Sequence, residues 1–178
     1  GTGEWDGGTR GFTFEGEARD VTCADLFSED WAKRFSGDVV SSFSVIKAGD
    51  GDPVVARGNL AISRGVLTAL PMLDTLAAYA DTSRFRVINL NEASTDWSWR
   101  RDELRFTRLV LASEGLVRLQ GDLIVRGREL DGRFLLGIAP GTLASIPGAE
   151  TVVFVRGDKG LMWAPLRITG TLDDPKED

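Results

Sequence analysis

The side chains that could do chemistry are few, and their types narrow the options quickly. The chain has no histidine and a single cysteine, Cys23, so a Ser-His-Asp or Cys-His nucleophile, a His-ligated metal and a thiolate metal cluster are excluded within it. Carboxylates remain. The adjacent pairs Glu29-Asp30 and Asp173-Asp174 have the residue types for the acid–base chemistry that cleaves glycosides. No spacing places another carboxylate across a pocket from either pair, and neighbouring carboxylates ordinarily form a solvated face. Five glycines between Gly1 and Gly11 share the composition of a phosphate loop but lack the Lys-Ser/Thr ending and a preceding strand. Asp50 and Asp52 lie in a Gly-Asp-Gly-Asp run without the third acidic ligand and closing Glu of a calcium loop, so they read as turn formers. The expectation is a non-enzymatic chain with no catalytic residue, metal or cofactor.

What remains is the surface that the elements build. A length of 178 residues suits one domain, residues 1–178, that buries roughly 70% of its unfolded surface. The net charge of −6 and the scattered Lys and Arg residues argue against a nucleic-acid footprint. No apolar run approaches the roughly 20 residues needed to span a bilayer. Lone Cys23 cannot form an internal disulfide and reads as a small buried apolar residue. The chain starts at Gly1 without an initiator methionine, as expected of a piece of a longer protein whose membrane contact would lie outside this segment.

The organising stretch is Asp102 to Pro140, where three runs alternate apolar and polar residues. The first starts on Leu104 and Phe106 and changes parity to Leu109 and Leu111, which predicts a β-bulge near Thr107 or Arg108. Val117, Leu119, Gly121, Leu123 and Val125 share one face of the second. Leu130, Gly132, Phe134, Leu136 and Ile138 share one face of the third. Earlier, Phe12 to Ala18 reads as a strand. Phe27, Trp31 and Phe35 at four-residue spacing, followed by Gly37, predict a helix over Asp25–Phe35. Val39–Lys47 reads as a strand with Val39, Phe43 and Val45 on one face, then a turn over Ala48–Pro53. Val54, Ala56, Gly58, Leu60 and Ile62 alternate up to an expected break at Ser63-Arg64-Gly65. Pro71 opens a helix with an apolar stripe through Met72, Leu73, Leu76, Ala77 and Ala80. Strands are expected over Phe85–Leu90 and Ala93–Trp99, the latter with Trp97 and Trp99 on one face. A helical turn is expected at Leu143–Ile146 and a short strand at Val152–Val155. A last strand runs from Met162 to Leu172, placed near an edge by Pro165, and Asp173–Asp178 reads as a charged exit. Gly58-Asn-Leu60-Ala-Ile62 and Gly121-Asp-Leu123-Ile-Val125 form a short internal echo.

These elements predict a mainly β fold: a curved, largely antiparallel meander sheet, an open groove or half-barrel, with two to three short helices packed on or capping its apolar face. The sheet closes on itself, curls around its helices, or leaves part of its face open to an apolar ligand or neighbouring module. The residues that would line a core or a lipid are Leu60, Ile62, Val117, Leu119, Leu123, Val125, Phe134, Leu136, Leu166 and Ile168, with Met72, Leu73 and Leu76 on the covering helix.

Several motifs together resemble a known family. They are Gly58-x-Leu60-x-Ile62-x-x-Gly65-x-Leu67, then Leu70-Pro71-x-Leu73 with its helix, the Phe85 strand, Gly121-x-Leu123-x-Val125, and the ending Ile168-Thr-Gly-Thr-Leu-Asp-Asp-Pro175. From about Gly37 onward the chain resembles the C-terminal region of AsmA-like proteins of the bacterial envelope, a family that includes the TamB-like bridging proteins. The resemblance implies a periplasmic location in a parent anchored in the inner membrane, and an apolar β-groove thought to carry phospholipid between membranes or to support outer-membrane assembly. It implies phospholipid as ligand, neighbouring repeats of the parent or envelope proteins as partners, and no catalytic motif. The alternative is a structural or protein-interaction module of an envelope assembly complex without lipid binding of its own.

Overall fold

The computed structural model describes residues 1–6, 11–26, 29–68, 87–144 and 154–177. Twelve strands follow in chain order: β1 (Thr2–Asp6), β2 (Gly11–Thr22), β3 (Phe35–Lys47), β4 (Val55–Thr68), β5 (Val87–Leu90), β6 (Glu92–Arg100), β7 (Glu103–Ser113), β8 (Val117–Arg126), β9 (Glu129–Ile138), β10 (Val155–Arg156), β11 (Met162–Gly170) and β12 (Pro175–Glu177). Among the described residues three single α-helical turns, α1 (Cys23–Leu26), α2 (Glu29–Ala32) and α3 (Pro140–Leu143), and a 3-10 turn at Asp158–Gly160 interrupt them. All the strands join one mainly antiparallel sheet in the order β1-β2-β3-β4-β6-β7-β8-β9-β11-β10, with β5 beside β4 and β12 beside β11. The sheet does not close. It is largely a meander, with tight turns such as Arg101-Asp102 between β6 and β7, although β2 reaches β3 through α1 and α2 and β9 reaches β11 across residues 139–161.

Three non-glycine residues with left-handed backbone mark where the sheet bends. Arg108 (φ 52°) lies in a register shift between Phe106 and Leu109, where the change of alternation in the sequence predicts a bulge. Asp20 (φ 59°) and Arg64 (φ 52°) occupy equivalent interruptions in β2 and β4. An extra residue on one strand bends and twists the pair. At Arg108 the backbone N–H left over by the bulge donates to Asp122 Oδ1 at 3.0 Å. The expected break at Ser63-Arg64-Gly65 is therefore a bulge inside one 14-residue strand. β5 and β6 keep a common register on β4, with Gly65 facing Leu90 and Ala61 facing Ser94, and are separated by a kink at Asn91.

The expected helix over Asp25–Phe35 is corrected to two four-residue turns. Phe35 starts β3 and pairs with Leu67, while the Thr68 N–H donates to the Arg34 carbonyl at 2.7 Å. Ladder pairing with β4 overrides the local helical spacing. Gly37 ends no helix: a Cβ there would lie 2.6 Å from the Ile62 side chain, so glycine is required by close strand approach. α1 starts at a capping box in which Asp25 accepts from the Thr22 N–H and hydroxyl.

The expected turn at Leu143–Ile146 forms earlier, over Pro140–Leu143, because Pro140 presets the first helical position. The final strand ends at Gly170, and the expected charged exit is corrected to a return strand. Gly170 (φ 87°) allows the reversal, Thr171 and Asp174 exchange backbone hydrogen bonds, and Pro175 faces Gly170. Pro165 sits at an edge as expected: β10 covers Met162 and Trp163, β12 covers Ile168 to Gly170, and Pro165 faces only Leu135 of β9. The expected helix through Met72, Leu73 and Leu76 lies outside the described residues, as do Val152 and Val153 of the expected strand at Val152–Val155, whose last residue starts β10.

The core collects at one end of the sheet. Cys23, Val39, Ile62, Leu67, Ile88, Leu90, Ala93 and Ile138 form one buried cluster, with Phe35, Leu60, Leu111, Val117 and Leu136 packed against it. It spans strands from β3 to β9, so the sheet curls about it. Burial and the Asp38 carboxylate push the Cys23 thiol up, as expected of an inert structural cysteine.

Candidate apolar-ligand face

Antiparallel partners project to the same side of a sheet, so the registers define which side chains share a face. One row runs Phe14, Val45, Ala56, Trp99, Leu104, Val125, Leu130. The next runs Gly16, Phe43, Gly58, Trp97, Phe106, Leu123, Gly132, Ile168. Beyond the bulges, further rows on this face hold Gly121, Phe134 and Leu166, then Leu119, Leu136 and Ala164. All ten strand residues expected from the alternation to line a core or a ligand therefore lie on one face. Ile62 and Phe134 are buried, while Leu123, Val125, Leu166 and Ile168 are half-buried.

Exposure varies along this face, and Ala56 and Leu130 of the first row are buried. At the core end Val39 is 1% exposed and Ile138 2%. At the other end Phe14 is 41% and Trp99 39% exposed, and Phe43, Trp97 and Phe106 are half-buried. The bulges at Asp20, Arg64 and Arg108 fall between the two zones, where the bend carries the face from a half-open sheet into the packed core. The aromatics Phe14, Phe43, Trp97, Trp99 and Phe106 lie on β2, β3, β6 and β7, on either side of β4, in the open zone.

The internal echo has a structural counterpart. A Cβ on Gly58 would lie 2.3 Å from the Ser42 carbonyl oxygen, and one on Gly121 2.1 Å from that of Arg133. In each case the next residue, Phe43 or Phe134, faces the glycine across the ladder. Both glycines allow a strand to approach closely beneath a phenylalanine on the apolar face.

The opposite face carries cross-strand ion pairs together with the exposed Val40 and Leu135. Arg108 pairs with Asp96, Arg126 with Glu103 at 2.9 Å, Arg167 with Asp131 at 3.3 Å, and Arg118 with Glu92 at 2.5 Å. Two hollows open on it: about 480 Å³ beside the Arg108 bulge, and about 1230 Å³ along Glu15, Glu17, Ser42, Ser44, Arg57 and Asn59. Arg118 is the least exposed of these arginines, at 12%. Its hydrogen bonds hold the Glu92 carboxyl below the usual carboxylate range. A lowered folded-state pKa gives stability that is present above the unfolded-state value and lost as pH falls through the folded one. Glu92→Gln is therefore expected to lower stability by about 1 kcal/mol at pH 7, with the difference from wild type shrinking on acidification below pH 4. Urea titrations of both proteins at the two pH values check this.

Asp173, one of the candidate acid–base carboxylates, pairs with Arg128, and Asp174 closes the turn before β12. Among the described residues no group of acids and Cys23 could hold a metal, and no helix is long and apolar enough to cross a membrane. Sequence reasoning missed Ile88, buried within the four-residue β5, and Lys47, which with Arg156 and Glu177 occupies a charged ladder position of the apolar face. Lys47 was visible as a break in the alternation Val39, Ser41, Phe43, Val45. The fold and this face define an open antiparallel β-sheet protein with one continuous apolar face. No family model, curated protein or solved structure matches the chain.

Proposed function

We propose that this chain is a non-enzymatic lipid-handling module that seats the acyl part of a phospholipid on the open zone of its apolar face. The observation that carries this reading is the half-exposed aromatic and aliphatic surface around Phe14, Phe43, Trp97, Trp99 and Phe106, continuous with the core. An exposed apolar surface on a single continuous face marks a binding site more often than a solvated one. The reading agrees with the resemblance to AsmA-like envelope proteins. It places the chain in the periplasm, within a parent tethered to the inner membrane that moves phospholipid or supports outer-membrane assembly. Solvent extraction of the purified protein followed by mass spectrometry is expected to release phospholipid in a fixed ratio to protein. Lipid-free protein that also takes up no added phospholipid would contradict the proposal.

A second reading, a protein-interaction module, is favoured by β1, which pairs only with β2 and leaves its outer edge without a partner among the described residues. Such an edge can take another strand, including one from a neighbouring repeat. Capture of envelope proteins by the wild type but not by a variant with proline in β1 would support it.

A further inference from the structure

We infer that the hollow at the Arg108 bulge binds a small carboxylate with an apolar body, its carboxylate on Arg133 and its body on Val110 and Leu135. The site lies on the face opposite the proposed lipid seat and does not rest on the lipid-handling reading.

The bulge makes the hollow. The extra residue in β7 turns the Arg108 guanidinium onto Asp96 of β6, away from β8. The strip of backbone through Leu109, Gly121 and Phe134 is left between two rows of side chains, and a hollow of about 480 Å³ opens there, within the roughly 300–1,000 Å³ usual for ligand pockets. One row is Val110, Gln120 and Leu135; the other is Arg108, Asp122 and Arg133. Val110 is half-buried and Leu135 is 45% exposed, so the first wall is apolar at both ends. Between them the Gln120 amide oxygen accepts from Arg118 Nε at 3.2 Å, so its amide nitrogen is the donor left to the hollow. On the second wall the acidic neighbours of Arg133 are engaged: Asp122 accepts the Arg108 N–H at 3.0 Å, and Asp131 pairs with Arg167 at 3.3 Å. Arg133 itself is exposed and has no ion pair among the described residues.

These two walls select the ligand. A planar guanidinium takes a carboxylate through two parallel N–H···O bonds. The Asp122 carboxylate facing Arg133 disfavours a dianion such as a phosphate monoester, and Val110 and Leu135 favour an apolar body over a bare hydrated ion. Rows two residues apart along a strand are separated by about 7 Å, so the body that reaches from Arg133 to the apolar wall is short, a chain of about six carbons or a single ring.

The test is titration of the whole nitrogen-labelled chain with hexanoate, hexanol and methyl phosphate, followed by NMR, for wild type, Arg133→Gln and Leu135→Thr. Hexanoate is expected to shift the Arg133 Nε–H and the Gln120 side-chain amide of wild type. Arg133→Gln should weaken hexanoate about five-fold, as for one exposed charge pair, and hexanol should bind wild type weaker than hexanoate by the same factor. Leu135→Thr should weaken hexanoate about three-fold through lost apolar contact. Both positions are exposed, and spectra that superpose on wild type away from the hollow show that the variants are folded. No shift of these signals in wild type, an unchanged hexanoate affinity in Arg133→Gln, or tighter binding of methyl phosphate than of hexanoate overturns the proposal. Shifts confined to Trp97 and Trp99 overturn it too, and place hexanoate on the apolar face in keeping with the lipid-handling reading. Hexanoate held at Arg133 by a chain that takes up no phospholipid leaves this site standing while that reading falls.

Discussion

Replacing Ile88 with alanine is expected to lower the unfolding free energy by about 2–5 kcal/mol, a large part of the roughly 5–15 kcal/mol available to a domain of this kind. Ile88 is 1% exposed and pairs with Leu67 where β5 extends the β4 ladder past the Arg64 bulge. It belongs to the cluster that joins Cys23 and Val39 to Ala93 and Ile138. Truncation would leave a cavity among strands already fixed by ladder bonds, so little collapse could offset it. Val87, its neighbour in the chain, is 52% exposed on the other side, and Val87→Ala should change stability by less than about 0.5 kcal/mol. Denaturant melts of the two variants check both the size of the effect and the period-two alternation of this short strand.

Adding one methyl group is expected to be nearly as damaging at Gly121. The Cβ of Gly121→Ala would lie 2.1 Å from the Arg133 carbonyl oxygen and 2.8 Å from Phe134 Cα, and neither can move without breaking the β8–β9 ladder. A destabilisation of about 2–3 kcal/mol follows, at the upper end for overpacking. The same change at Gly115, in the β7–β8 turn, meets no atom within 4 Å, although its φ of 69° disfavours a side chain. Gly115→Ala should therefore cost only about 1 kcal/mol. Thermal melts that rank Gly121→Ala below Gly115→Ala would support close strand approach beneath Phe134. The reverse order would refute it.

The parts of the fold that were legible in the sequence are those where one strand carries its own signal. The change from Phe106 to Leu109 as the inward positions identified the Arg108 bulge, since an added residue must invert every later side chain. Alternation in β8, β9 and β11 grouped their residues on one common face for the same reason. Phe35 was misleading because its four-residue spacing from Trp31 is a local signal, whereas its place in β3 comes from Leu67, distant in sequence. β12 was hidden because Asp173-Asp174-Pro175 has the composition of a solvated tail, and its pairing depends on the reversal at Gly170. Ile88 was unremarkable in sequence because four residues carry too short an alternation to separate core from edge. The open zone was legible as a set of faces but not as a site: the difference in exposure between Trp99 and Val39 depends on bulges in three different strands.

Bulges turn one end of an apolar sheet face into a packed core and leave the other end half-open, and the proposed function seats lipid at that open end. Trp97 and Trp99 lie on this face, whereas Trp163 lies on the other, packed over Gly157 with its indole N–H donating to the Asp158 carbonyl at 3.1 Å. The most direct test is quenching by phospholipid with brominated acyl chains in variants that keep a single tryptophan. The account predicts strong quenching of Trp97 and Trp99 and little of Trp163; equal quenching of all three, or quenching of Trp163 alone, would contradict it.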